Sequence, residues 1–129
     1  MNKAMSEIAD AVANKRPMHS KLYAVAVREN GTVEVLYRGT LVALIQNDKM
    51  YVNTGGWYTA TTKKVINAAF WGAGANVNIF QHNWNWTLNR FERGTYQPLN
   101  NSSFQAFDRF ALPILIDGRG GLTEAESVA

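Results

Sequence analysis

The feature that most restricts the fold of this chain is the Asn30-Gly31 dipeptide, which lies between two short segments rich in Val, Leu and Tyr. Asn-Gly between such segments is a strong signal for a β-hairpin, because both residues tolerate the left-handed backbone of a tight turn. Residues 22–28 and 32–38 are therefore predicted to form paired antiparallel strands.

Two more strands are predicted directly after the hairpin. Residues 41–46 and 50–53 repeat its apolar character, and the polar turn Asn47-Asp48-Lys49 separates them. Together, these segments predict a four-stranded antiparallel meander.

Helices are predicted on both sides of the meander. Residues 3–15 place apolar side chains at helical spacing, and Pro17 disfavours continuation of that helix. Residues 63–70 have the same character and form the second predicted helix. Its expected boundary residues are Thr61 or Thr62 as the N-cap, and Gly72 and Gly74 at the end.

The second half of the chain contains further strand and helix signals. Residues 76–81 and 84–91 alternate well enough to be strands paired through His82-Asn83, and residues 104–116 have helical spacing until Pro113. With 47% hydrophobic and 18% charged residues, the chain is apolar enough to fold. The sequence predicts a single α+β domain at 1–116, with an N-terminal helix, and a flexible, weakly acidic tail at 117–129.

Several classes of function are disfavoured by what the sequence lacks. The absence of cysteine excludes disulfides, thiolate catalysis and the common zinc sites. The glycine-rich stretches match neither a dinucleotide fingerprint nor a P-loop, and no apolar run approaches the ~20 residues of a membrane span. We therefore expect a soluble cytoplasmic protein that is not an enzyme, holds no metal or cofactor and has no membrane partner.

Positive charge is concentrated in the middle of the chain. The net charge is only +3, but residues 49–93 contain five cations, a single acidic residue and all four tryptophans. Cations bind phosphate groups and flat rings stack on bases. This combination is typical of proteins that bind single-stranded nucleic acid.

The predicted strand at 84–91 is one candidate for such a surface. Alternate side chains of a strand share a face, so Trp84, Trp86 and Arg90 are predicted to point the same way. Two indoles and a guanidinium would then form a face for stacking and phosphate binding. Alternatively, Trp84 and Trp86 fill the core, and binding depends on the arginines and on aromatic residues elsewhere.

A second candidate surface surrounds residues 55–64. Gly55-Gly56 permits close approach of the backbone to a ligand, the threonines at 59, 61 and 62 offer hydroxyls to phosphate, and Lys63 and Lys64 add charge. Trp57 and Tyr58 supply rings for stacking. An ordinary turn followed by a capped helix with a solvated lysine pair explains the same residues equally well.

The favoured hypothesis is a non-catalytic protein that binds single-stranded DNA. Its predicted binding residues are Trp57, Tyr58, Lys63, Lys64, Trp84, Trp86, Arg90 and Arg93. One alternative is a protein that docks on an enzyme through exposed aromatic residues, without binding nucleic acid. Another is a metal-independent nuclease with His19 and His82 as acid and base. The aromatic content also favours a homo-oligomer.

Part of the chain resembles small bacteriophage proteins. The resemblance covers residues 33–70 and is carried by Tyr37-x-Gly39-Thr40, Asn53-Thr54-Gly55-Gly56-Trp57-x-Thr59-x-Thr61-Thr62-Lys63 and Ile66-Asn67. In size, basic aromatic middle and acidic end, the chain is also similar to the single-stranded-DNA-binding RNA polymerase cofactor of N4-related phages. That similarity implies binding to locally melted promoter DNA and recruitment of a phage RNA polymerase in the host cytoplasm. It also implies a fold distinct from the five-stranded binding barrel.

Overall fold

The computed structural model describes residues 1–116 and 122–123, and both of its α-helices begin with a side-chain cap. In α1 (Lys3–Ala13), Asn2 Oδ1 accepts a hydrogen bond from the Met5 amide at 2.9 Å. In α2 (Ala60–Ala73), Thr59 Oγ1 accepts one from the Thr62 amide at 3.2 Å. The N-cap predicted at Thr61 or Thr62 is wrong, because Thr59 is the last extended residue and both later threonines lie in the first turn.

The described strands form two antiparallel sheets. In chain order, they are β1 (Met18–His19), β2 (Tyr23–Val27), β3 (Val33–Tyr37), β4 (Thr40–Gln46), β5 (Lys49–Val52), β6 (Val77–His82), β7 (Asn85–Glu92), β8 (Thr95–Ser103), β9 (Ile114–Leu115) and β10 (Leu122–Thr123). The larger sheet has seven strands in the order β1-β2-β3-β4-β5-β9-β10, and the smaller has three in the order β6-β7-β8.

The larger sheet turns alternate side chains toward the core. Val25, Val35 and Ala43 lie opposite one another across β2, β3 and β4, and all three are buried. The two helices pack on this face, which accounts for the apolar residues at every second position. The α+β fold with an antiparallel meander is therefore confirmed.

Helix α1 approaches helix α2 closely at Gly72. A β carbon on Gly72 would lie 2.4 Å from the carbonyl oxygen of Ala9, so only glycine fits there. Gly72 thus lies within α2, and the prediction that it helps to end the helix is wrong. The helix ends at Gly74, which adopts the left-handed backbone typical of a C-terminal cap, with φ at 76°.

The amide side chain of Asn67 in α2 forms hydrogen bonds with the main chain of the smaller sheet. Asn67 Oδ1 accepts from the Ile79 amide at 2.7 Å, and Asn67 Nδ2 donates to the Ile79 carbonyl at 3.3 Å. The Asn67 side chain thus satisfies the amide and the carbonyl of Ile79, as a neighbouring strand would do. The edge of the sheet can therefore pack against the helix with these main-chain groups hydrogen-bonded. The inner side chains of the sheet, including Val77 and Leu88, join the core.

The end of the described chain departs most from expectation. Residues 104–116 form two one-turn 3₁₀-helices, Phe104–Ala106 and Asp108–Phe110, followed by β9, so the single helix predicted there is wrong. Arg109 and Phe110 both have positive φ, which interrupts helical backbone before Pro113 is reached. The predicted tail at 117–129 lies outside the described residues except for β10, which pairs with β9.

Candidate nucleic-acid interface

The two tryptophans expected on one strand face occupy opposite environments. Trp84 lies in the two-residue turn between β6 and β7, where Asn83 and Trp84 both have positive φ, and Trp84 is 90% exposed. Trp86 is 6% exposed and packs edge-on against Tyr58 and Phe104, at centroid distances of 4.9 and 5.4 Å. The predicted face with two adjacent indoles is wrong, because the turn removes Trp84 from the strand.

A different set of rings occupies the outer face of the three-stranded sheet. Phe80, Phe91 and Tyr96, which we call the aromatic cluster, are all exposed. The Tyr96 ring centroid lies 4.7 Å from that of Phe80 and 5.1 Å from that of Phe91. Asn89 lies on the same face and is buried, with its Nδ2 donating to Thr87 Oγ1 at 3.4 Å. The face therefore combines flat apolar rings with amide and hydroxyl groups.

A groove of about 1180 Å³ begins at this cluster and extends to the helices. Its walls include Phe91 and Tyr96 from the sheet, and Lys64 and Trp71 from the solvent side of α2. Trp71 is 72% exposed although its helix buries neighbouring apolar residues. A tryptophan left in water on an amphipathic helix indicates a binding surface, and this placement was not predicted from the sequence.

The predicted cations lie on helix α2 and on the smaller sheet. Lys64 of α2 is exposed at the groove, and Arg93 is exposed in the turn between β7 and β8. Lys63 Nζ donates to Gln81 Oε1 at 3.4 Å, and Arg90 is half-buried on the inner side of β7. Of the four predicted cations, Lys64 lines the groove together with Phe91 and Tyr96, and Arg93 follows Phe91 by two residues.

Tyr58 is 47% exposed, but its hydroxyl and its ring both have partners within the protein. Its hydroxyl donates to the carboxylate of Asp108, and its ring packs on Trp86. Two effects raise the pKa of Tyr58 above its ordinary value. The larger is partial burial of the hydroxyl, and the smaller is its hydrogen bond to Asp108. Trp57, one residue earlier, is 65% exposed. Adjacent residues in the predicted stacking pair therefore have different roles.

Comparison with known proteins assigns a family. The Kyanoviridae Gp96 protein family matches residues 1–111. The chain belongs to this family of phage proteins. Comparison with curated proteins and with solved structures gives no match. The resemblance to bacteriophage proteins is confirmed, while the similarity to an RNA polymerase cofactor stays a prediction.

The two histidines of this Gp96-family chain lie in different sheets, His19 on β1 of the larger sheet and His82 at the end of β6 in the smaller one. Within residues 1–116 and 122–123, no group of three His, Cys, Asp or Glu side chains is placed to hold a metal ion. No helix in the same residues is long and apolar enough to cross a membrane.

Proposed function

We propose that this phage protein binds single-stranded DNA without catalysing a reaction, through the aromatic cluster and the groove beside it. The observation that carries the proposal is the exposure of three rings on the outer face of a sheet, where Tyr96 packs against both Phe80 and Phe91. Open sheet faces bearing aromatic side chains are used elsewhere to stack unpaired bases. Each stacked base contributes about 1–3 kcal/mol, so three rings suffice to orient a strand.

The charge around the cluster supports the same proposal. Lys64 lines the groove, and Arg93 lies in the turn that follows Phe91 and Glu92. Both are exposed and can approach a phosphate backbone without crossing the core. Residues 49–93 contain one acidic residue against five cations, and Asp10, the acidic residue that lines the groove, forms an ion pair with Arg16.

The proposal revises the set of residues expected to stack. Trp86 is buried and Tyr58 is held by Asp108, so neither is included. Trp71 and the aromatic cluster replace them, and Trp84 remains as an exposed indole at the far end of the sheet. Binding should tolerate any DNA sequence, because stacking rings accept every base.

We further propose that the protein acts in the host cytoplasm as a transcription cofactor at melted promoters, as an oligomer and together with a phage RNA polymerase. This role is supported by the similarity to the cofactor of N4-related phages and by family membership in phages. Docking on an enzyme without DNA is the second candidate. It is favoured by the 90% exposure of Trp84 at a hairpin tip, a shape suited to insertion into a protein pocket.

Titration of the protein with oligothymidine, followed by tryptophan fluorescence, tests DNA binding. Trp71 lies in the groove, so bound bases should quench its emission. Binding should weaken as salt increases, and Lys64→Ala should reduce the logarithmic salt slope by about 0.7, the value for one phosphate contact on a single strand. Lys21→Ala, which removes an exposed lysine preceding β2 of the larger sheet, is the matched control.

The outcome separates the candidate functions. Absence of quenching at low salt would contradict the DNA proposal and favour docking on a protein. Degradation of the oligonucleotide, abolished by His82→Ala, would show that the protein is a nuclease.

A further inference from the structure

A second cavity, of about 430 Å³, lies where the turn between β3 and β4 meets the loop before α2. Its lining residues include Arg38 and Thr40 on one side and Trp57, Thr59 and Thr61 on the other. The two sides approach closely, since a β carbon on Gly55 would lie 3.1 Å from Thr40 Cγ2. The cavity shares no lining residue with the groove.

About half of the residues that carry the resemblance to phage proteins line this cavity, among them Tyr37, Thr40 and five residues between Thr54 and Thr62. Tyr37 to Thr40 and Thr54 to Thr62 are separated by more than a strand in sequence, and the pairing of β4 with β5 brings them together. Shared packing alone would require apolar residues, whereas most of these side chains carry hydroxyls. The pattern therefore describes a polar cavity assembled from two segments.

Hydrogen bonds hold the walls of the cavity in place. The Thr54 amide and Oγ1 donate to Asp108 at 2.8 and 2.9 Å, and the Thr59 and Thr62 hydroxyls lie 2.9 Å apart. Among the described residues, the hydroxyls of Thr40 and Thr61 have no hydrogen-bond partner. These two hydroxyls are thus available to a ligand inside a fixed wall.

The charge of the cavity favours an anion. Arg38 is the sole charged residue among the nine that line it. Its guanidinium carbon lies 5.8 Å from the centroid of the Tyr37 ring, and it forms no ion pair with any described residue. An arginine stacked on a ring is positioned to bind phosphate with two parallel hydrogen bonds.

The indole ring of Trp57 also lines this cavity. Trp57 is 65% exposed, so most of the indole is open to solvent although it lines the cavity. An indole in this position stacks well on a nucleobase. The volume of about 430 Å³ also falls within the range of pockets that bind small molecules.

We infer that this cavity binds a single nucleotide unit, with its phosphate on Arg38 and the threonine hydroxyls and its base against Trp57. The ligand is a free nucleotide or the phosphorylated end of a DNA strand. Either source presents the same chemistry to the cavity. This site is distinct from the groove proposed for single-stranded DNA, because it lies beside the turn between β3 and β4 of the larger sheet.

Calorimetric titration with thymidine 5′-monophosphate tests the inference. Arg38→Asn is the appropriate variant, because Arg38 has φ at 51° and asparagine tolerates left-handed backbone. Loss of a charged hydrogen-bond partner should weaken monophosphate binding by about tenfold to a hundredfold. Lys21→Ala is the control for loss of one positive charge. No saturable binding of the monophosphate, or equal binding to Arg38→Asn, would overturn the inference.

Ligands that contain only one part of the nucleotide distinguish the contribution of the base from that of the phosphate. Thymidine and inorganic phosphate should each bind at least about tenfold more weakly than the monophosphate, since each lacks one of the two recognised groups. Trp57→Ala should weaken binding of the monophosphate and leave that of inorganic phosphate unchanged. Equal binding of inorganic phosphate and the monophosphate would overturn the role of the base.

Oligothymidine with and without a 5′-phosphate identifies the source of the nucleotide. Tighter binding of the phosphorylated strand, lost in Arg38→Asn, indicates a strand end. Dependence on Arg38 for the free monophosphate alone indicates a free nucleotide. Tyr96→Ala should weaken binding of both oligothymidines, which use the groove, and leave binding of the monophosphate unchanged. Failure of the groove and failure of this cavity are thereby distinguished.

Discussion

The two sheets share a core, but their outer faces differ in chemistry. In the larger sheet, the outer positions include Ala24, Leu36 and Leu44, which are half-buried, and Glu34, whose carboxylate accepts hydrogen bonds from Arg28. In the smaller sheet, they carry the aromatic cluster, and its rings are exposed. Both sheets are antiparallel with one buried side, so fold requirements alone do not explain the difference.

The comparison shows where the chain leaves apolar area unburied. Aromatic rings contribute more than any other side chain when they are buried, so a fold gains least by leaving them on an open face. On the larger sheet, the outer positions include small and aliphatic residues and the half-buried ring of Tyr51. The exposed rings of the smaller sheet are therefore the better candidates for binding, and substitutions can test whether they act differently from their counterparts.

The largest effect is expected at Trp86, the inner aromatic residue of the smaller sheet. Trp86→Ala removes a buried ring that packs on Tyr58 and Phe104, and it should lower the free energy of unfolding by about 3–5 kcal/mol. Trp84→Ala, two residues earlier, should change it by less than about 0.5 kcal/mol, because its side chain is exposed. Chemical denaturation of both variants measures the contrast, and equal losses would contradict the assignment of Trp84 to an open turn.

The next effect concerns the junction between the sheets. Asp108 is buried and accepts hydrogen bonds from Thr54, which follows β5 of the larger sheet, and from Tyr58, which packs on the smaller one. Asp108→Ala leaves buried donors unsatisfied and should lower the free energy of unfolding by about 2–3 kcal/mol. Asp48→Ala, at an exposed turn, is the control. If Asp108→Ala lowers the free energy of unfolding no more than the control does, Asp108 does not stabilise the junction between the sheets.

A smaller effect is expected on binding, and it compares tyrosines from the two outer faces. Tyr96→Ala should weaken binding of oligothymidine by about 1–3 kcal/mol, because one stacking ring is lost. Tyr51→Ala removes a half-buried ring from β5 of the larger sheet, on the side opposite the buried Met50 and Val52. It should leave binding unchanged. Equal weakening by both substitutions in fluorescence titrations would show that the two faces do not differ in function.

The smallest effect is the dependence of stability on alkaline pH. Burial and the Asp108 hydrogen bond favour the neutral phenol, so the pKa of Tyr58 in the folded protein exceeds the ordinary value of 10.0. The stability that Tyr58 contributes is complete below that ordinary pKa and is lost as the pH rises through the folded value. Tyr58→Phe should therefore reduce the alkaline loss of stability, measured by denaturation across this pH range. A Tyr51→Phe control should preserve the parental slope.

Local sequence signals were sufficient to predict most of the fold. The Asn30-Gly31 turn and the apolar segments beside it predict strands that the structure confirms as β2 to β5. Helix α1 and the pairing of β6 with β7 were also predicted, because each depends on residues close together in the chain. Strand β8 was not predicted, since its asparagines and Pro98 are poor strand formers in isolation.

The candidate site was predicted less well, because exposure depends on contacts between distant segments. Alternation along a strand cannot reveal that a turn begins at Asn83 and carries Trp84 away from Trp86. Nor does it reveal that Phe80, Phe91 and Tyr96 meet on one face, because that requires the register of three strands.

The sequence by itself thus determined the antiparallel meander, the two helices and a basic, tryptophan-rich middle segment. Only the tertiary structure decided which rings remain in water, because burial depends on what packs across from each side chain. It also brought Arg38 and Trp57 to one cavity, although 18 residues separate them in the chain. The physical reason is that short-range propensity controls local backbone, whereas binding surfaces are formed from residues that meet only after the sheets pair.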